Sequence, residues 1–187
     1  MRDGTRHVAA SLAAEVDVRP GELAVDVGGG DGTFLAAVLA AQPQAHGILF
    51  ELDRSFDTIA PELRPYLAES RCQVQQGSFF VAVPPGDVLI LKRILHDWPD
   101  EKAVEILRAC VRALRPGGRI VVLDLVKKDD SGKGRSLDVL MMVLLGGRER
   151  TLAEFRELLA AAGLRLLGQP RGGGLLSVLT AVPQAVA

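Results

Sequence analysis

Short apolar runs alternate with amphipathic stretches along most of this chain, and the change of period between them predicts its elements. LAVDVGGG, starting at Leu23, is apolar until it meets glycines, which predicts a buried strand that runs straight into a tight turn. Thr33 to Ala41 follows as a helix that must end before Pro43, because the residue preceding a proline is held away from the α region. His46 to Leu52, CQVQQG from Cys72, Gly86 to Lys92 and Arg119 to Val126 predict four further strands. A proline-interrupted helix from Phe56 to Leu67 lies between two of them. A second helix, Asp100 to Leu114, is closed by Arg115-Pro116-Gly117-Gly118. Ahead of all these, Thr5 to about Asp17 suits a helix that Arg19-Pro20-Gly21 stops.

Beyond the charged loop Lys127 to Arg135, an apolar helix is predicted over Leu137 to Leu145 and broken by Gly146-Gly147. Thr151-Leu152-Ala153-Glu154 has the spacing of a capping box and opens a helix to Ala162, which Gly163 terminates. Leu164 to Leu167 and Leu175 to Ala181 are joined by GQPRGGG, short enough for a hairpin and hence an antiparallel edge. The expected fold is therefore α/β: a mostly parallel seven-stranded sheet covered on both faces, with an antiparallel strand from the C-terminal hairpin.

A length of 187 residues suits one domain, 1–187, with a sizeable core. Lys and Arg total 22 against 23 Asp and Glu, so the net charge of -1 supplies no field for gripping nucleic acid or an anionic membrane. A small or neutral partner is expected instead. Cys72 and Cys110 lack metal-ligand spacing and read as buried thiols of a reducing compartment, so neither zinc nor a disulfide is expected. No apolar run approaches the roughly 18 residues a membrane helix needs, and MRDGTRH lacks the apolar centre of a secretory signal. Cytoplasmic residence is the expectation.

Two places carry chemistry. Asp26-Val27-Gly28-Gly29-Gly30-Asp31-Gly32 lies between a strand and a helix, where backbone N–H groups can approach a ligand. The nicotinamide fingerprint G-x-G-x-x-G would need glycine at position 33, where Thr33 stands, so dinucleotide binding is disfavoured. Glu51 ends the second strand, where a carboxylate can accept two hydrogen bonds from ribose hydroxyls; it also reads as an ordinary solvated strand-end acid. The second place is His96-Asp97-Trp98-Pro99, just past the fourth strand. An imidazole there can take a proton near neutral pH, and a carboxylate on its other nitrogen would fix its tautomer. Asp97, Asp124 and Glu149 are candidates for that carboxylate. Each has a plain alternative: a helix cap for Asp97, a solvated strand end for Asp124, a surface loop charge for Glu149.

LKRILHDWPDEKAVEILRAC, together with VDVGGGDG, GSFF, LRPGGRIVVLDLV and GGRERTLAEFRELLAAAGL, resembles the catalytic domain of small-molecule O-methyltransferases. These are class I S-adenosylmethionine-dependent enzymes of the caffeate/flavonoid and bacterial polyketide type, and the likeness runs from about Leu23 to the end. It implies methyl transfer from S-adenosylmethionine to a hydroxyl of an aromatic or polyketide-like small molecule in secondary metabolism, such as antibiotic biosynthesis. His96 matches the general base, and Asp124 and Glu149 match its flanking acids. Asp26, Gly28, Gly30, Glu51, Phe79 and Lys92 fall on the cofactor side, with Ser78 beside them. Asp97, Met141 and Met142 fall on the acceptor side; both methionines also read as core, and Trp98 reads as packing under the His96 loop. Family members carry an N-terminal helical domain that dimerises and closes the pocket, and that lid is expected to be absent here. An excised domain, a separate chain supplying the lid, and an open or large acceptor all stay open. Two rival functions are a cofactor-binding partner subunit with little activity of its own, and a hydroxylase, decarboxylase or cyclase on the same fold.

The family pattern has Gly-Asp where this chain has Gly77-Ser78, and a hydroxyl brings less charge and shorter reach toward an adenine amino group. Ser78→Asp is therefore expected to tighten cofactor binding in calorimetric titrations; equal dissociation constants would refute the effect.

Overall fold

The computed structural model describes residues 10–52, 59–127, 149–172 and 176–184. Its main sheet is built from β1 (Leu23–Val27), β2 (His46–Glu51), β3 (Cys72–Gln76), β4 (Gly86–Lys92), β5 (Leu114–Asp124), β8 (Leu164–Leu166) and β9 (Ser177–Pro183). Their order is β3-β2-β1-β4-β5-β9-β8, and β6 (Val126–Lys127) pairs separately with β7 (Arg150–Thr151). The first five strands run parallel, while β9 is antiparallel to both β5 and β8. The expected mostly parallel sheet with an antiparallel C-terminal strand is thus present; β8 takes the outer edge and β9 lies inside it.

Alternate residues of each strand feed two separate cores, as a sheet buried on both faces requires. On one face Val25, Val27, Leu89, Leu91, Ile120 and Val122 meet Ile106, Leu107 and Cys110 of α3 (Asp100–Ala113) and Phe155 and Leu158 of α4 (Leu152–Ala161). On the other, Ala24, Leu49, Val88, Ile90 and Val121 meet Phe34, Leu35, Val38 and Leu39 of α1 (Thr33–Ala41), together with Leu12 and Val16 from the helical residues 10–15 and just beyond. The buried positions of α3 (Ala103, Ile106, Leu107, Cys110, Ala113) recur at helical spacing, and Lys102 and Glu105 pair at 2.8 Å on its wet side. Each fully buried Ile or Leu here contributes roughly 1.5–3 kcal/mol by leaving water. Both cysteines are buried free thiols, and burial pushes Cys72 up to about 11 and Cys110 up to about 12, which keeps them protonated and inert.

Three expectations shift. Within the proline-interrupted helix expected over Phe56 to Leu67, residues 59–63 form no helix; α2 (Arg64–Ala68) is a short helix with proline in its first turn, where the missing N–H leaves no bond unmade. β5 starts at Leu114 rather than Arg119, because Leu114 pairs with Gly86 across an irregular register. The same strand stops at Asp124, and Val126 then leaves the main sheet to face Arg150. The apolar helix expected over Leu137 to Leu145, with Met141 and Met142, lies outside the described residues.

α4 begins with a complete capping box: the Glu154 amide donates to Thr151 Oγ1 at 3.2 Å and the Thr151 amide donates to Glu154 Oε2 at 2.7 Å. Thr151→Ala removes one of these acceptors and is expected to lower unfolding stability by about 1 kcal/mol in urea titrations.

Candidate active site

The strand order reverses direction between β1 and β4, which pair with Asp26 opposite Ile90. Crossovers leave these two strands toward opposite ends of the sheet, so a crevice opens beyond their carboxyl ends. The glycine loop leaves β1 on one side of it and the His96 turn leaves β4 on the other. The two are in contact: a side-chain carbon at Gly28 would lie 2.6 Å from Ile94 Cδ1 and 3.5 Å from Phe79.

The loop is folded onto β2. Gly28 donates to the Phe50 carbonyl at 2.8 Å, and Gly30, whose φ of 64° suits glycine, donates to Glu51 Oε2 at 3.0 Å. Glu51 Oε1 accepts from the Leu52 amide at 2.9 Å, so the carboxylate is fixed at the rim beside Leu52, whose side chain is 68% exposed. Asp26 takes a different place from the other loop residues. It is buried beneath Gly29, where an added Cβ would fall 2.6 Å from its Oδ2, and that oxygen has no hydrogen-bond partner. Burial pushes the Asp26 carboxyl up to about 7, against the opposing pull of the Lys92 charge, with Glu51 and Asp31 adding to the rise. Lys92, at the end of β4, lies with Nζ 5.4 Å from the centre of the Phe34 ring. Ser78 turns its hydroxyl inward to accept from the Phe80 amide at 3.3 Å.

Arg93 adopts a φ of 56° and donates to the Leu123 carbonyl at 2.9 Å, which swings the chain out of β4 into a 3-10 turn, Leu95–Asp97. His96 is buried in that turn. Its Nε2 stands 3.2 Å from Asp97 Oδ1, and its Nδ1 3.8 Å from Asp124 Oδ1 at the end of β5. The Asp97 side chain is 44% exposed and that of Asp124 only 1%. Burial raises the Asp124 carboxyl above the usual carboxylate range, opposed by the facing His96 and by the Leu125 and His96 amides. Its Oδ2 has no partner. Trp98 packs as expected: its ring meets Phe80 edge-on at 4.7 Å and Phe79 at 6.2 Å.

The structure therefore brings His96, Asp97 and Asp124 together, with the glycine loop, Glu51, Phe79 and Lys92 around the same crevice. Glu149 is half-buried next to β7, and among the described residues no ion pair joins it to His96. Sequence reasoning missed Arg150. Its guanidinium is fully buried, and it donates to the Leu95 carbonyl at 2.7 Å, to the Trp98 carbonyl at 2.8 Å and twice to Asp100 Oδ1, at 2.9 and 2.8 Å. The available signal was the pairing of an arginine directly after Glu149 with Asp100 at the start of a helix. Among the described residues no cluster of acidic, His or Cys side chains could hold a metal ion, and no helix is long and apolar enough to cross a membrane.

Residues 1–165 match the model of the O-methyltransferase domain family. The chain belongs to this family. The O-methyltransferase domain is 40% identical over 165 residues to the phenazine O-methyltransferase PhzM of Lysobacter antibioticus, covering 87% of this chain and 48% of that protein. It is 39% identical to the aclacinomycin 10-hydroxylase RdmB of Streptomyces purpurascens, over 80% of this chain and 41% of that one. A solved structure of the O-methyltransferase NcsB1 from neocarzinostatin biosynthesis, in complex with S-adenosyl-L-homocysteine and 1,4-dihydroxy-2-naphthoic acid, is 34% identical with a TM-score of 0.76. That match covers 95% of this chain and 52% of the other. The domain thus spans about half the length of the curated relatives it matches.

The raised Asp26 carboxyl has a consequence for stability. Between about pH 4, where an unfolded aspartate titrates, and pH 7, the folded state holds a proton that the unfolded state has lost. Stability therefore falls as pH rises through that window, and the burden is fully present above it. Asp26→Asn is expected to raise Tm at pH 8 by several degrees, at roughly 2–4 °C per kcal/mol for a domain of this size, and to raise it less at pH 5. Calorimetry at the two pH values checks this.

Proposed function

We propose that this chain is the catalytic domain of an S-adenosylmethionine-dependent O-methyltransferase that methylates a hydroxyl of an aromatic or polyketide-like small molecule, with His96 as general base. The observation that carries the reading is a buried imidazole flanked by two carboxylates, in a turn whose neighbouring Ile94 lies against Gly28 of the glycine loop. The relatives support the substrate class: one is a phenazine O-methyltransferase, and another was solved with a dihydroxynaphthoic acid.

The residues fit the cofactor. Vicinal ribose hydroxyls ask for a paired acceptor at the rim, which Glu51 offers, and a flat base asks for apolar walls, which Leu52 and Phe79 offer. Bound S-adenosylmethionine would supply a methyl group on a sulfonium, an electrophile that needs no metal. The chain's part is then to orient and deprotonate the acceptor. Asp97 is half exposed and can rotate away from Nε2, opening the nitrogen to an incoming hydroxyl. Nε2 would take the hydroxyl proton as the methyl group moves from sulfur to oxygen, leaving the cofactor as its neutral thioether, and the resulting imidazolium would lie against the Asp124 carboxylate, which stabilises it. Glu149 acts on the acceptor side of this pair, and Asp26 and Lys92 hold the loop side through their mutual attraction.

In this reading residues 1–187 form one cofactor-binding domain, and a lid, supplied by a separate chain or by a further segment, closes the acceptor side and excludes water. The cytoplasm suits its two buried free thiols. The match to a 10-hydroxylase supports a second reading, in which the same crevice serves another outcome at a related acceptor. Methyl transfer to a panel of phenols and hydroxynaphthoates decides between them. His96→Ala is expected to lower kcat by roughly 10²–10⁴ and to keep the dissociation constant of S-adenosylhomocysteine within about twofold of wild type. Equal methylation by both proteins would overturn the base assignment.

A further inference from the structure

We infer that Arg150 is a positioning residue for His96: by holding the carbonyls on both sides of the 3-10 turn, it fixes the direction in which the imidazole faces Asp124. The inference rests on the proposed function, since it gives the orientation of the same base a cause.

Leu95 and Trp98 bracket the turn that carries His96, and one guanidinium links them by donating to their two carbonyls, at 2.7 and 2.8 Å, while its Nε and Nη2 both donate to Asp100 Oδ1. Lysine could not reproduce this, because an ammonium is a point donor without the planar fork. The Asp97 and Trp98 amides close turn bonds at 3.2 and 3.3 Å, the His96 amide donates to the Asp124 carboxylate, and the ring stands 3.8 Å from Asp124 on its inner side. A rotation of the turn would carry Nδ1 away from that carboxylate. The charged groups at His96 are Asp97 from its own turn and Asp124 from β5; the Arg150 charge from β7 favours the ionised form of Asp124.

The guanidinium reaches the turn because β7 pairs with β6, which continues directly from the strand that bears Asp124. Arg150 and Asp124 are thus carried by one small unit of backbone. The base and its partner carboxylate are aligned from the same side of the crevice, away from the glycine loop, so cofactor binding and base orientation are separable.

The test uses the full chain with Arg150→Lys. Long-range nitrogen–proton NMR at fixed pH follows the three imidazoles, with His96→Gln to assign the signal. The His96 Nδ1 signal is expected to move as the carboxylate contact loosens. Exchange of the Asp97 and Trp98 amides should quicken by about tenfold. Where methyl transfer is measured, kcat should fall on the order of 10- to 100-fold, with KM and the S-adenosylhomocysteine dissociation constant within about threefold. A merely structural arginine would lower Tm and leave the His96 nitrogen signals and kcat where they are, and that result overturns the inference. If Arg150→Lys does not fold, Asp100→Ala removes the half-exposed anchor of the guanidinium; a quickened exchange of the Asp97 and Trp98 amides together with a moved Nδ1 signal supports the inference, and unchanged exchange refutes it. Should wild type and His96→Ala methylate equally, the base assignment fails, while the His96 nitrogen signals still decide the role of Arg150.

Discussion

The reversal of sheet growth between β1 and β4 is the constraint from which the site follows. Parallel strands need long crossovers, and where successive crossovers depart to opposite sides the strand ends are left uncovered. At this point the chain places a loop without side chains against a turn with a titratable one. The register of Asp26 against Ile90 sets Gly28 and Lys92 side by side, and the contact of Ile94 with the loop closes the floor of the crevice. Neither half would form a site without the other. The glycine loop alone is a tight turn, and the histidine alone is a buried ring.

Charge is concentrated at this crevice at some cost. Asp26 and Asp124 each leave one buried oxygen unpaired, and Arg150 brings a cation out of water altogether. Unpaired buried oxygens cost about 1–3 kcal/mol each. Such groups are out of place in a core that otherwise consists of Val, Leu and Ile on alternating strand positions. They are tolerated because neighbouring charges and amides offset part of the burden: Lys92 for Asp26, His96 for Asp124, Asp100 and two carbonyls for Arg150. Arg93, one of three non-glycine residues at positive φ among the described residues, sits in the left-handed region just before the turn that bears His96.

Periodicity made most of the architecture legible. Gly86 to Lys92 and Thr33 to Ala41 stand where their apolar pattern and flanking prolines and glycines put them, and the Thr151 capping box is complete. What periodicity could not see was pairing at a distance. Leu114 extends β5 only because Gly86 lies opposite, across an irregular register. The same holds at the site. The meeting of His96 with Asp124 follows from strand ends, whereas the burial of Asp26 beneath Gly29 follows from the fold of the loop and not from its composition. Arg150 was harder to see: Asp100 is its one side-chain partner among the bonds described, and the other two are backbone carbonyls some fifty residues away, which leave no mark in a sequence.

The junction of β7 and α4 contains no spare residue: Arg150 and Thr151 pair with Val126 and Lys127, Thr151 is at once strand and helix cap, and Leu152 opens the helix. A single insertion there would rotate the guanidinium by a full side-chain step and uncap the helix in the same stroke. Changes of length are therefore excluded between Arg150 and Leu152, where strand ladder and helix cap share one residue.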